Sequence, residues 1–206
     1  MKLFLFDFDG VLVDSLDVYE KTVTACLKKM NQPLTRGREE FLELFEGNFY
    51  ESLVKKGVDL NEFMKASADI LAQVNLKDTK PIPAVVPVVK EFHKNHCLLV
   101  ISSNESSSIK EALELFHYDG YFREILGSDF MFSKKEKIFY AIKKYQVISE
   151  NIYYIGDTTG DIKEGREAGI KTVGVTWGWH SKEKMASAEP DYLFDTPQEL
   201  LQLNEN

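Results

Sequence analysis

Two aspartates, Asp7 and Asp9, stand two residues apart in FDFDGVLVDS (6–15), a run that is otherwise nearly all apolar. A carboxylate buried without a partner costs several kcal/mol, so their presence here calls for a cation or a ligand. The same residue type recurs in GDTTGD (156–161), which supplies Asp157 and Asp161. Between these stretches lie ISSN (101–104), with Ser102, Ser103 and Asn104, and FSKKEKI (132–138), with Lys134 and Lys135. Four carboxylates brought to one place cannot all stay ionised without a counter-charge. A few hard oxygen ligands, with room left for water and phosphate, suit Mg²⁺. The hydroxyls and backbone N–H groups of Ser102 and Ser103 suit phosphoryl oxygens, and a lysine balances the charge. Gly10 follows the paired aspartates directly; it permits a positive φ or a close approach of the backbone to a phosphate.

The elements that must position these residues are legible in the hydrophobic pattern. KLFLFDF reads as a buried strand. From residue 97 onward strands and helices alternate: CLLVIS a strand, SSIKEALELF a helix, REILGSD a strand or loop, and KEKIFYAIKKY an amphipathic helix. NIYYIGD and KTVGVT read as strands, with the helix DIKEGREAG between them ending at Gly169. Alternation of this kind predicts an α/β fold: a Rossmann-like, doubly wound parallel sheet with helices on both faces. In such a sheet ligands bind beyond the carboxyl ends of the strands, which is where Asp7, Asp9, Gly10, Ser102 to Asn104, Asp157 and Asp161 fall, while the helix opening KKEKIF supplies Lys134 or Lys135.

The stretch 15–80 interrupts the pattern. Leu16, Tyr19, Val23, Cys26, Leu27 and Met30 share one helical face, with Asp14 or Ser15 as its cap and Pro33 as its stop. Helical patches follow near 38–46, 49–56 and 60–74, separated by Gly47 and Gly57. LKDTKPIPAVVP (76–87) marks the return linker, and a short helix is predicted over 88–95. The expected organisation is therefore an α/β core of residues 1–14 and 81–206 with an inserted α-helical cap of residues 15–80.

DFDGVLVDS, ISSN, a lysine at 134 and GDTTGD, in that order, resemble the four motifs of the haloacid dehalogenase superfamily. Within it the chain is similar to the phosphoglycolate phosphatase-like branch with a small helical cap. The resemblance implies a Mg²⁺-dependent phosphatase acting on a small-molecule phosphomonoester through an aspartyl-phosphate. It implies Asp7 as nucleophile, Asp9 as general acid and base, and Ser102 as phosphate-binding hydroxyl. The lysine that orients Asp7 is Lys134 or, with a one-residue slip, Lys135. Asp157 and Asp161 would hold the metal with Asp7 and the carbonyl of Asp9. A phosphosugar mutase of the same fold is the nearest alternative, and a non-catalytic phospho-ligand or regulatory binding protein the next. A receiver domain is disfavoured by a nucleophile at residue 7 and by the large insertion. Asp9 speaks against a dehalogenase, and the lack of an obvious Schiff-base lysine in the cap against a phosphonatase.

The remaining residues give weaker signals. His93, His96, His117 and His180 are not assigned to metal; His180, after Trp177-Gly178-Trp179, sits on a loop expected to border the site. Both tryptophans are read as packing. Arg36, Arg38, Asn48 and Tyr50 are the cap residues that could reach a substrate, and hinges are expected near 14–15 and 78–82. Across 206 residues the apolar share of 44% supports a sizeable core, and a net charge of −8 with no long basic run argues against nucleic acid. Cys26 and Cys97 are read as buried free thiols of a reducing, cytoplasmic compartment. No stretch reaches the ~20 apolar residues of a membrane span. The partner expected is a small phosphorylated metabolite, and the chain is expected to be a monomer or weak dimer.

Overall fold

The computed structural model describes residues 1–71, 79–118 and 120–204. Strand β1 (Leu3–Phe6) is buried at every position and lies at the centre of a six-stranded sheet. Its neighbours are β4 (Cys97–Ile101) on one side and β6 (Ile152–Gly156) on the other, with Leu5 opposite both Leu99 and Tyr154. Beyond them lie β5 (Glu124–Leu126) on the first side and β7 (Lys171–Val175) and β8 (Tyr192–Phe194) on the second. All these pairs are parallel. The chain leaves β1 for β4 and later crosses back to β6. The direction of winding therefore reverses beside β1, which opens a crevice at the carboxyl ends of β1, β4 and β6.

Adjacent side chains in β1 serve opposite layers, as the pleat requires. Phe4 and Phe6 pack with Phe92, Leu98, Val100 and Tyr153 on one face. Leu3 and Leu5 pack with Leu99, Ile101, Ile138 and Tyr154 on the other. Helix α5 (Val86–His93) covers the first face, and its Phe92 stacks on Phe4 with ring centroids 4.1 Å apart. It starts two residues before the predicted 88, because Pro87 is accommodated in the first turn. Helix α6 (Ser106–Leu115) lies after β4 and contributes Ile109 and Leu113 to the same layer. Helix α7 (Lys134–Tyr145) brings Ile138 and Ala141 to the second, and α8 (Thr159–Glu167) packs against β6 and β7 beside it. Helix α9 (Lys182–Ser187) buries Met185. The α8 helix closes as its sequence predicts, with Gly169 at φ +73° just beyond it.

Among the described residues, four helices fill the insertion over 15–80: α1 (Leu16–Lys29), α2 (Arg38–Glu43), α3 (Phe49–Lys55) and α4 (Leu60–Leu71). They share their own apolar cluster, in which Val23, Leu27, Phe41, Phe45, Phe49 and Phe63 meet. The end of the predicted 60–74 helix and the first residues of the 76–87 linker lie outside the described residues. The two connections to the sheet run side by side as a short antiparallel ladder, β2 (Val13–Asp14) with β3 (Lys80–Pro81). Ser15 occupies the N-cap position of α1 but makes no cap bond, because its hydroxyl is drawn to Asp9. Cys26 and Cys97 are buried and unpaired, and no helix among the described residues is long and apolar enough to cross a membrane.

Removing the Phe92 ring should open a cavity against Phe4 that close-packed neighbours cannot fill. Phe92→Ala is expected to lose about 3–5 kcal/mol in urea denaturation; a loss under about 1 kcal/mol would contradict this packing.

Candidate active site

The carboxyl ends of β1 and β6 carry the acidic centre. The last β1-side ladder bond runs from Asp7 N–H to the Ile155 carbonyl at 2.8 Å, so Asp7 emerges where the sheet ends. Its Oδ1 accepts the Phe8 N–H at 2.8 Å, and its Oδ2 accepts Lys134 Nζ at 2.8 Å. Lys134 also donates to Asp161 Oδ1 at 2.7 Å. Asp161 is the third residue of α8 and closes a capping box with Thr158, which accepts from the Asp161 N–H. The N-cap is Thr158, and the helix begins two residues before the predicted start. Tyr154 adds an O–H donor to Asp161 Oδ1 at 2.8 Å.

Asp157 completes the group. Asp7, Asp157 and Asp161, all buried, offer carboxylate oxygens within 4.8 Å of one another. Asp157 Oδ2 accepts the Trp179 N–H at 2.6 Å, while its buried Oδ1 has no hydrogen-bond partner. A buried carboxylate oxygen left bare among like charges fits a hard divalent cation, and the all-oxygen donor set fits Mg²⁺. Glycine is required around it: a Cβ on Gly10 would collide with Asp157 Oδ2, and one on Gly178 with Asp157 Cβ. Gly10 does adopt a positive φ, +72°. The space it frees is filled by Asp157 and the Trp179 ring.

Asp9 faces the same recess but its carboxylate stands apart from this cluster. The chain turns at Gly10, and Asp9 Oδ1 accepts Ser15 Oγ–H at 2.6 Å while Oδ2 accepts Asn104 Nδ2–H at 2.8 Å. Three side-chain carboxylates therefore gather within reach of one ion, and Asp9 lines the recess beside them. Burial drives the protonation equilibria upward: Asp7 to about 7 and Asp9 to about 6, with Asp157 well above the ordinary carboxylate range. For Asp161 burial acts in the same direction but is overcome by Lys134, Thr158 and Tyr154, so its pKa falls. Burial likewise disfavours the Lys134 ammonium, yet Asp161 and Asp7 hold it charged.

The lysine ambiguity resolves geometrically. Lys134 reaches the centre, whereas Lys135 points outward and pairs with Glu167 at 2.9 Å. One turn along α7, Lys137 is fully buried and donates to the Ser102 carbonyl at 2.6 Å. Burial and Lys134 bring its pKa down to about 7. No motif marks Lys137 in the sequence; the signal for it is its place three residues after Lys134, on the same helix face. Ser102 is itself fully buried, and its Oγ accepts the Asn104 N–H at 3.0 Å. Ser103, not Ser102, lines the recess beside Asp7, Asp9 and Lys134.

The helical insertion closes over this centre. Gly160 N–H donates to the Phe45 carbonyl at 3.0 Å, so the start of α8 meets the loop after α2 without room for a side chain at Gly160. His180 accepts the Thr159 N–H on Nδ1 and bonds the Leu42 carbonyl through Nε2 at 3.1 Å. That histidine is thus a tie between insertion and sheet, with both nitrogens engaged. Tyr50 O–H donates to the Ser103 carbonyl at 2.7 Å, and Asn48 Nδ2 to Glu164 Oε1 at 3.1 Å. Trp179 leaves the sheet to pack among Tyr19, Phe41 and Phe45. Arg36 and Arg38 instead lie on the surface, paired with Glu43 and with Asp17 and Glu20.

A doubly wound sheet with this insertion and this acidic rim defines a class, and comparison with known proteins identifies it. Residues 4–175 match the family model of the haloacid dehalogenase-like hydrolases, and the chain belongs to that family. It is 28% identical over 218 residues to a phosphoglycolate phosphatase of Aquifex aeolicus, covering 100% of this chain and 98% of the relative. It is 26% identical over 220 residues to a phosphoglycolate phosphatase of Vibrio parahaemolyticus, covering 98% and 96%. Among solved structures, a predicted phosphatase from Clostridium acetobutylicum shares the fold with a TM-score of 0.85 at 22% identity, covering 100% of this chain and 99% of that one. A haloacid dehalogenase-like family hydrolase from Streptococcus pneumoniae does so at 0.79 and 22%, covering 98% and 97%.

A cation entering between Asp7 and Asp157 must displace the protons that burial favours there. Mg²⁺ affinity is therefore expected to rise between about pH 6 and about pH 8, with proton release on binding. Titration calorimetry in two buffers of different ionisation enthalpy reads that release; a pH-independent affinity without it would contradict the assignment.

Proposed function

We propose that the chain is a Mg²⁺-dependent phosphatase that hydrolyses a small-molecule phosphomonoester through an aspartyl-phosphate on Asp7. The observation that carries this reading is the Lys134 ammonium seated between Asp7 and Asp161, beside an Asp157 oxygen that has no partner. The curated relatives named as phosphoglycolate phosphatases support it.

Asp7, with Asp157 and Asp161 near it, would hold Mg²⁺, which when bound supplies positive charge to phosphoryl oxygens and keeps the carboxylates ionised. Lys134 orients the Asp7 carboxylate and offsets charge building on the transferred group. The loop of Ser102 to Asn104 presents Ser103 to that group. An Asp7 oxygen forms a bond to phosphorus as the ester oxygen leaves. Asp9, whose pKa is raised to about 6, gives that leaving oxygen a proton. In the second half Asp9 takes a proton from water, whose oxygen displaces Asp7 and releases inorganic phosphate. Ser15 and Asn104 fix the Asp9 carboxylate, so its proton is delivered at a defined place.

In this reading residues 1–14 and 81–206 form the catalytic core and residues 15–80 its cap. The ladder of β2 and β3 is the hinge, and the Phe45–Gly160, Leu42–His180 and Tyr50–Ser103 bonds are the latch of the closed state. Closure removes bulk water from a centre whose electrostatics depend on low dielectric.

Asp7→Asn is expected to abolish hydrolysis of p-nitrophenyl phosphate with Mg²⁺ present; full activity would reject Asp7 as nucleophile. Asp9→Asn should slow turnover by roughly 10²–10⁴-fold and let phosphoenzyme accumulate, and single-turnover rates equal to wild type would remove its role. Lys134→Ala should be crippled while Lys135→Ala stays near wild type, and the reverse ranking in kcat would overturn the lysine assignment.

A further inference from the structure

The cleft continues past the aspartates into a second space. Tyr19 and Ser103 line both the recess at Asp7 and Asp9 and a cavity of about 290 Å³ beyond it. That cavity lies between α1, α3 and α4 on one side and the loops after β4 and β5 on the other. Asn104 joins the two, because it lines the cavity and donates to Asp9 Oδ2. An alcohol that takes a proton from Asp9 as it leaves phosphorus therefore has this cavity as its neighbouring space.

The wall has a definite chemistry. Tyr19, Val23, Phe49, Phe63 and Met64 make it apolar. Three of its hydroxyls have spent their protons elsewhere: Thr22 donates to the Val18 carbonyl, Ser67 to the Met64 carbonyl and Tyr50 to the Ser103 carbonyl. Glu105 and Asp129 line it from the α6 side. Among the described residues lining the cavity there is no lysine, arginine or histidine. The arginines of the insertion are held outside by Glu43, Asp17 and Glu20. A leaving group with its own carboxylate would meet like charge and, among the described residues of the lining, no cation, and would be desolvated on entering. The size is also informative, since a cavity of about 150 Å³ suffices for benzene.

We propose that this cavity is a leaving-group subsite for a neutral, apolar alcohol the size of one substituted ring, and that it discriminates against carboxylate-bearing substrates. The proposal rests on the phosphatase reading and departs from the substrate in the relatives' names. Tyr19, whose phenol stands at the junction of the two spaces, offers a neutral contact to such an alcohol beside Asp9.

Benzyl phosphate and 2-phosphoglycolate test it fairly, because both release a primary alcohol. With Mg²⁺ saturating, kcat/KM for benzyl phosphate is expected to exceed that for 2-phosphoglycolate by about tenfold or more. The Ala68→Arg variant, which places a cation on the exposed α4 position lining the cavity, should narrow that ratio several-fold by raising the 2-phosphoglycolate value. A wild-type preference for 2-phosphoglycolate, with p-nitrophenyl phosphate still hydrolysed in an Asp7-dependent way, would overturn the subsite while leaving the phosphatase intact. A ratio unmoved by Ala68→Arg would overturn the charge argument. Failure to turn over any of the three esters would instead overturn the phosphatase reading, and the subsite with it.

Discussion

One lysine against three buried aspartates is the constraint on which the rest of the structure depends. Lys134 bonds two of them, Asp7 and Asp161, and Asp157 keeps an oxygen without a partner. The charge at the rim is left incomplete, and burial makes the incompleteness expensive. A protein selected for stability alone would replace such a cluster with apolar side chains. The imbalance makes sense where a cation and a phosphoryl group complete it.

Much of the surrounding architecture serves to hold that imbalance in place. The apolar strands β1 and β6 bring Asp7 and Asp157 to the same end of the sheet, and the α8 capping box fixes Asp161 beside them. Gly10 and Gly178 clear the volume that the Asp157 side chain occupies. Trp179 spans two roles, since its N–H holds Asp157 while its ring enters the apolar cluster of the insertion. One residue thereby touches both the insertion and the acidic rim. His180, next in sequence, adds a second tie through Leu42.

The sheet, its order of strands and helices and the place of the helical insertion were legible because hydrophobic period and breaker residues are local signals. The acidic residues were legible because carboxylates at strand ends have no structural excuse. What local signals did not carry was orientation. FSKKEKI presents three lysines, and only the helix start at Lys134, set by the Ser133 cap, decides that Lys134 faces inward and Lys135 outward. The same geometry buries Lys137 under Ser102, a contact between residues 35 apart that no motif announces. Asp9 was grouped with the other carboxylates because spacing alone cannot show that Gly10 turns it toward Ser15. Gly178 and Trp179 escaped notice as a support for Asp157 because their partner lies on a different strand, and the tryptophans read simply as packing.

The central claim is that a divalent ion and Lys134 together complete the acidic rim. A crystal structure of the protein grown with Mn²⁺ in place of Mg²⁺ tests it most directly, through the anomalous signal of the metal. The account predicts a single strong peak at the rim formed by Asp7, Asp157 and Asp161, with Lys134 still on Asp7. An empty rim at saturating Mn²⁺, or a peak bound away from Asp157, would contradict it.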